Sequence, residues 1–381
     1  MQIKVSHTSV IPLYEQLHNQ LRQFILSGHW PPESRIPSET ELQRQLNISR
    51  STIRQAFRDA EIEGLIERVP GRGTFVALPH SRSSVNRLIA FVVCDFGRPV
   101  QRRLLSGAEK AARTAGYRVI FSSSNSDTVE EIKLLDQLQK DGVSGVLLWP
   151  SIGDGNPQRL AERAQQDFPP VIMMDRTFNG VGWDYVGSDN YAGAYTAMQH
   201  LIELGHNRIA FLSCPLLGLL PIAERFRAYQ AALLESDHQP LQPWLVGEAN
   251  QELSSTSALH AYCDPLNLIT NQIVNYFKTS AERPTAIFAM NDSMALLGLK
   301  AASIAGLRVP DDVSIVGFDD IDMAPYLETP LTTVAQDSFA IGKRAGEFLI
   351  ERMEGWYSGA PRLELIPTQL RVRASTSVAP P

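Results

Sequence analysis

Cysteine is scarce in this chain: Cys94, Cys214 and Cys263 are the only three, an odd number without metal-ligand spacing. That excludes a disulfide-framed miniprotein and fits reduced thiols in a cytoplasmic protein. Strong charge of one sign is missing too. The 35 Lys and Arg stand against 41 Asp and Glu, a net charge of -6, so any nucleic-acid site must be local. Long apolar runs are absent. Leu88–Cys94 is strand-length, and Ile287 to Leu307 is interrupted by Asn291, Asp292 and Lys300, so no membrane span or membrane partner is expected. The opening MQIKVSHTSVIPLYEQL lacks the apolar centre of a signal peptide. There is no low-complexity tract and no internal repeat. The P-loop, G-x-S-x-G, H-E-x-x-H and Rossmann glycine patterns are also absent, which argues against an enzyme. The eight histidines are scattered, and His7, His80, His206 and His238 read as surface or capping residues. No cofactor and no metal is expected.

What is present is ordinary in bulk. Hydrophobic residues make up 44% and charged residues 20% of 381. At roughly 100–200 residues per domain, that is two or three domains with real cores.

Residues 1–78 read as a small domain of their own. Pro12 opens a helix with Leu13, Leu17, Leu21, Phe24 and Ile25 on one face, stopped by Gly28 and Pro31–Pro32. Ser38 and Glu41 have capping-box spacing before Leu42 and Leu46. Ser49 caps a third helix in which Ile53, Ala56, Phe57 and Ala60 follow helical spacing up to Gly64. Leu65–Val69 and Thr74–Leu78 are two strands around Pro70-Gly71-Arg72-Gly73. This order describes a winged helix-turn-helix, whose third helix enters the major groove. Arg50, Arg54 and Arg58 share a face of that helix. Arginine suits both guanine edges and phosphates, although a solvated helix face would look the same. The domain holds nine basic and eight acidic residues, so the rest of the chain is acidic.

The motifs PLYEQ, Gly28 with Pro32, PSETEL, SRSTIRQA, EGLIER and GRGTFV resemble the GntR-family DNA-binding domain along its length. The resemblance places DNA contacts on Arg50, Ser51, Thr52 and Arg54. It adds Glu39 in the second helix and Arg72, Gly73 and Thr74 in the wing. Many members carry Arg where this chain has Thr40, which bears on operator preference. Residues 79–87, PHSRSSVNR, read as a linker.

From Leu88 onward, apolar runs alternate with helical periods. The runs include Leu88–Val93, Val143–Trp149, Val171–Met174, Arg208–Leu212, Ala286–Met290 and Val313–Val316. Such runs are typical of strands buried on both faces, and the alternation gives parallel sheets flanked by helices. About 290 residues exceed one comfortable core, so residues 88–381 are expected to form two lobes. The runs end in Asp95-Phe96, Trp149-Pro150, Asp175-Arg176, Ser213, Asn291-Asp292 and Asp319-Asp320. Ligands of open α/β sheets sit beyond the carboxyl ends of the strands. Amides, carboxylates and an arginine fork suit paired hydroxyls, and an aromatic face suits the apolar side of a sugar. Each residue alone could equally be a helix N-cap.

The segments DRTFNGVGWDYVGSDNYAGAYTAMQHLIELGHNRIAFL, ERFRAYQAAL and PTAIFAMNDSMALLGLKAASIAGLRVPDDVSIVGFDDIDMAPYLETPLTTVAQD resemble the LacI/GalR regulators and their periplasmic sugar-binding relatives. By that resemblance the effector-binding positions are Asp175, Arg176, Arg225, Asn291, Asp319 and Gln336, with Phe96 or Trp149 as a stacking face. Residues 253–274 look longer than the equivalent family segment. A GntR-type reader on a LacI-type sensor resembles arabinose-responsive repressors. It implies an α/β, two-lobed, periplasmic-binding-protein-like domain behind the winged helix. The expected activity is a cytoplasmic homodimer that binds double-stranded operator DNA and is released by a small sugar. An activator of the same build, or a response to a nucleoside, stays open. Effector closure of the lobes would change how two protomers sit together.

Overall fold

The computed structural model describes residues 3–6, 11–26, 29–31, 34–62, 65–69, 72–76, 87–95, 99–166, 168–178, 180–216, 219–247, 264–280 and 283–380. The chain divides into two units, Met1–Val85 and Asn86–Pro381. No helix among the described residues is long and apolar enough to cross a membrane.

The first unit is three helices and a hairpin: α1 (Leu13–Leu26), α2 (Glu39–Leu46), α3 (Arg50–Ile62), β1 (Ile66–Val69) and β2 (Gly73–Val76). The capping box is present: the Glu41 amide donates to Ser38 Oγ (3.2 Å) and the Ser38 amide to Glu41 Oε2 (2.7 Å). Asn47 ends α2 in the left-handed conformation (φ 52°), which Asn tolerates. Ser49 Oγ accepts the Thr52 amide at 3.1 Å and starts α3. Leu17, Leu21, Leu42, Ile53 and Phe57 meet in one core with Ile66 and Val76 of the hairpin. Gly28, Gly64, Pro70, Gly71 and Leu78 lie outside the described residues.

The second unit contains two six-stranded sheets. Its elements run β3 (Leu88–Val93), α4 (Pro99–Thr114), β4 (Arg118–Ser123), α5 (Thr128–Lys140), β5 (Gly145–Trp149), α6 (Asn156–Ala164), β6 (Val171–Met174) and β7 (Asp184–Ser188). They continue α7 (Asn190–Glu203), β8 (Ile209–Ser213), α8 (Leu220–Glu235), β9 (Trp244–Leu245), α9 (Asp264–Thr279), β10 (Ala286–Ala289), α10 (Asp292–Ile304) and β11 (Ser314–Asp319). The chain ends with β12 (Thr332–Gln336), α11 (Ser338–Met353), β13 (Leu363–Ile366) and β14 (Thr368–Arg371). Sheet order is β13-β7-β6-β5-β3-β4 in one lobe and β14-β12-β11-β10-β8-β9 in the other. All pairings are parallel except β12 with β14. The central strands β5, β6, β7, β8 and β10 are buried at every position, which follows from helices covering both faces. The chain changes lobe after β7, after β12 and between β13 and β14. Those three crossings form the hinge.

Two expectations change here. His206 is not a surface residue. It is fully buried, with Nδ1 2.9 Å from Thr285 Oγ1 and Nε2 3.0 Å from the Ser377 carbonyl, and it ties the C-terminal tail to the second lobe. Within the stretch 253–274, positions from Asp264 onward form the start of α9, and 253–263 lie outside the described residues.

Candidate functional site

In the first unit, Arg50, Ser51 and Arg54 are exposed on the first turns of α3, while Ile53 beside them is buried. The amphipathic spacing therefore turns the basic stripe outward. Ser49 Oγ lies 2.7 Å from both Ser51 Oγ and Thr52 Oγ1, which orders the polar start of the helix. Glu39 is held rather than free: its carboxylate accepts from Arg54 Nε at 3.0 Å and from Arg68 Nη1 at 3.5 Å. Arg50 Nε donates to Gln43 Oε1 at 3.0 Å. Both arginines are thus pre-oriented by α2. In the wing, Gly73 has φ +122°, and a Cβ there would lie 3.1 Å from Arg35 Nε. Glycine is needed both for the backbone and for the close approach. Arg72 is exposed and Thr74 half-buried.

The second unit has a cleft between its sheets at their carboxyl ends. It is open to solvent, and the space between its walls, open solvent included, is about 890 Å³. Trp149, Asp175, Arg176, Arg225, Asn291, Asp319 and Gln336 all line it. Seven predicted residues from both lobes and the hinge are therefore brought together. Phe96 lies outside the described residues. Two strand-end residues turn away from the cleft. Asp95 Oδ1 accepts from Gln101 Nε2 (3.0 Å), and Ser213 Oγ donates to the Cys214 carbonyl (2.9 Å). Asn291 does both things weighed for it: it lines the cleft and it caps α10, its side chain accepting the Met294 amide at 2.9 Å.

The polar wall is one connected network. Arg225 is buried, donates from Nε to Asn190 Oδ1 (2.9 Å) and from Nη1 to the Met290 carbonyl (2.5 Å), and lies 3.6 Å over the Phe318 ring. Asn190 Nδ2 donates to the Ser188 carbonyl (3.0 Å). Ser188 Oγ donates to Gln336 Oε1 (2.5 Å), and Gln336 Nε2 donates to Asp319 Oδ1 (2.5 Å). Because Ser188 offers a hydrogen and Asp319 an acceptor, the Gln336 amide can face only one way. Both cleft-lining aspartates sit at positive φ, 64° for Asp175 and 124° for Asp319. The second value is one that side chains other than glycine rarely adopt.

Burial pulls the Arg225 pKa down, and Asp319 and Asp175 oppose that shift. Burial, and then the charge of Asp175, push the Tyr185 phenol up. It stays a neutral donor to the Asp175 carbonyl at 2.9 Å. Burial and the charge of Asp319 push Asp292 up to about 8. Asp292 points behind the cleft, not into it: it accepts the Ile321 amide (2.9 Å) and the Thr333 hydroxyl (2.5 Å). Glu131 plays the matching part in the first lobe. Fully buried and raised in pKa by that burial, it accepts the Ser151 amide (2.6 Å) and Asn156 Nδ2 (2.8 Å) under the Trp149–Ser151 loop.

Sequence reasoning missed Ser188, Asn190 and Glu131, and the apolar side of the cleft formed by Leu216, Leu219, Pro221, Ile222, Met290 and Ile321. The polar triplet Ser188-Asp189-Asn190 between a strand and a helix could have marked the lobe crossing. Nothing local distinguishes Glu131 from a solvated helix residue.

Residues 13–76 match the model of the bacterial regulatory proteins of the gntR family. Residues 198–376 match that of the periplasmic binding protein-like domain. The chain is 32% identical over 349 residues to an arabinose metabolism transcriptional repressor of Geobacillus stearothermophilus, covering 90% of this chain and 92% of that protein. It is 27% identical over 334 residues to the HTH-type transcriptional repressor CytR of Escherichia coli K12, covering 87% and 90%. Among solved structures, a complex of the transcriptional regulator CelR with cellobiose superposes with a TM-score of 0.64 at 25% identity, covering 89% of this chain and 95% of that one.

Proposed function

The chain belongs to the family of transcriptional repressors that join a GntR-type DNA-binding domain to a periplasmic-binding-protein-like domain, and from that premise we propose that a small neutral sugar, a pentose, releases it from its operator. It is a DNA-binding regulator, and its similar proteins are repressors rather than enzymes. The observation that carries the effector reading is charge balance in the cleft. Asp175 and Asp319 stand with Arg176 and Arg225 there, so the charges of the described lining sum to zero and favour a neutral ligand over a charged one, which would leave one of these groups uncompensated. The polar lining offers donors and acceptors for hydroxyls, and the apolar lining suits the C–H face of a sugar ring. Trp149 is the one aromatic residue among the described lining, with Arg176 5.5 Å over its ring. A nucleobase sandwich would need a second ring.

Residues 1–78 act as the reader, 79–87 as the linker, and 88–381 as the effector-binding and dimerisation domain. Arg50, Ser51, Thr52 and Arg54 enter the major groove. Glu39 holds Arg54 and borders the bases, and Arg72, Gly73 and Thr74 touch the backbone. The protein works in the cytoplasm as a homodimer, since one reading helix per chain calls for two chains on a twofold site. Calorimetry of the full-length chain against L-arabinose, D-xylose, D-ribose, D-galactose, cytidine and adenosine tests the effector. A pentose should bind. A nucleoside binding alone would move the effector to that class and leave the regulator intact.

A further inference from the structure

The turn that closes β11 sends four consecutive side chains to three places. Asp319 faces the cleft and is held by Gln336. Asp320 accepts from Arg373 Nη2 at 2.7 Å. Ile321 lines the cleft. Asp322 reaches across to Arg102 and Arg103 of α4, which belongs to the opposite lobe. One turn therefore meets the effector space, its own lobe and the other lobe.

Its backbone is not self-supporting. Asp319 has φ 124° and Asp320 φ 54°, two successive residues in conformations that cost free energy and persist only when the surroundings impose them. The support is Asp292, whose side chain is fully buried behind the turn. Its Oδ2 accepts the Ile321 amide (2.9 Å) and its Oδ1 the Thr333 hydroxyl (2.5 Å), while Thr333 Oγ1 accepts the Asp320 amide at 3.4 Å. The carboxyl thus serves one turn amide directly and a second through Thr333. Space for it depends on residue 317 being glycine, because a Cβ there would lie 2.1 Å from Asp292 Oδ1.

We propose that Asp292 is a positioning residue for effector recognition, setting both the aim of Asp319 and the reach of Asp322 so that one rigid turn joins ligand contact to lobe closure. The inference rests on the reading of the cleft as the effector site and deepens it. Opening the lobes separates Asp322 from α4. A ligand that fixes Asp319 fixes Asp322 as well, because the turn between them cannot relax alone. Asp292 touches neither the ligand space nor the other lobe, yet it governs both ends.

The test uses the full-length protein, two readouts and four variants. Hydrogen exchange of the peptide spanning Asp319–Asp322 is followed without sugar, and L-arabinose, D-xylose and D-ribose are titrated by calorimetry. Asp292→Ala leaves a buried amide without an acceptor. It should speed exchange in that peptide and weaken sugar binding, each by about tenfold or more, with sugar-free operator affinity unchanged. Asp292→Asn should restore both, since its Oδ1 accepts the Ile321 amide and its Nδ2 donates to Thr333. Asp322→Ala should leave exchange slow and weaken sugar binding by about two- to fivefold, the range of an exposed ion pair. If Asp292→Ala does not fold, Thr333→Val, which removes the relay to Asp320 and the hydroxyl's bond to Asp292 but keeps the direct bond from the Ile321 amide to Asp292, should still speed exchange in the turn. Wild-type exchange in both Asp292→Ala and Thr333→Val, or an Asn variant as impaired as Ala, would overturn the proposal. If no sugar binds the wild type, the effector reading falls, and the exchange arm alone decides whether Asp292 holds the turn.

Discussion

Replacing Arg225 by lysine keeps the positive charge of the cleft and removes its geometry. The guanidinium is shared between Asn190 Oδ1 at 2.9 Å and the Met290 carbonyl at 2.5 Å, and it stacks 3.6 Å over Phe318. An ammonium is a point donor without a planar fork, so it can serve one of those acceptors and stack poorly. The orphaned acceptor costs about 1–3 kcal/mol. The lost stacking in a desolvated site adds up to about 2 kcal/mol. Part of this falls on stability and part on the sugar, because Asn190 leads through Ser188 and Gln336 to Asp319. Arg225→Lys should therefore lower the melting temperature by several degrees and weaken sugar binding by roughly thirtyfold or more. Thermal unfolding and calorimetry on the same sample separate the two effects. Operator affinity without sugar should stay unchanged, because the reader is a separate unit. A variant that binds the sugar within threefold of wild type would refute the network's role.

Asp319→Ala removes the acceptor facing the ligand and should cost at least tenfold in sugar affinity while operator binding persists. In a reporter strain the result is a repressor that cannot be induced. Arg50→Ala and Arg54→Ala should each weaken operator binding by about 1–3 kcal/mol in anisotropy titrations and leave sugar binding alone. Burial and Asp319 raise Asp292 to about 8, so the folded state holds a proton that the unfolded chain releases above roughly pH 4. Its stabilising contribution is present at low pH and is lost as pH rises through 8. Between pH 6.5 and 8.5, denaturant melts should show wild type losing stability relative to Asp292→Asn, by no more than about tenfold in the unfolding constant per pH unit. Parallel curves would contradict the shift.

The division of labour was legible because each part has its own period. Helical spacing and a capping box wrote the reader, and fully apolar runs wrote the central strands. The edge strands were harder to read. β4 has no buried residue, with Arg118 and Phe121 exposed and the rest half-buried, and β13 carries exposed Leu363 and Leu365, so neither looks like the core strands. Which strand joins which sheet is a tertiary fact, decided at the three lobe crossings and carried by no local pattern. Polar residues at strand ends pointed to the cleft, but pattern alone could not tell Asp319, which enters it, from Asp95, which turns aside. The buried acids Glu131 and Asp292 were invisible for a similar reason. A carboxylate that holds a backbone amide has the same sequence appearance as one that caps a helix.

Selecting duplexes from a random pool yields the operator, and titrating full-length protein against it with and without the sugar found by calorimetry tests the whole account at once. The selected site should be twofold symmetric and bind two chains. Saturating sugar should weaken binding by tenfold or more, which requires only that it prefer the non-binding conformation by more than about 1.4 kcal/mol. One chain per duplex, or an operator affinity unmoved by a sugar that demonstrably fills the cleft, would contradict it.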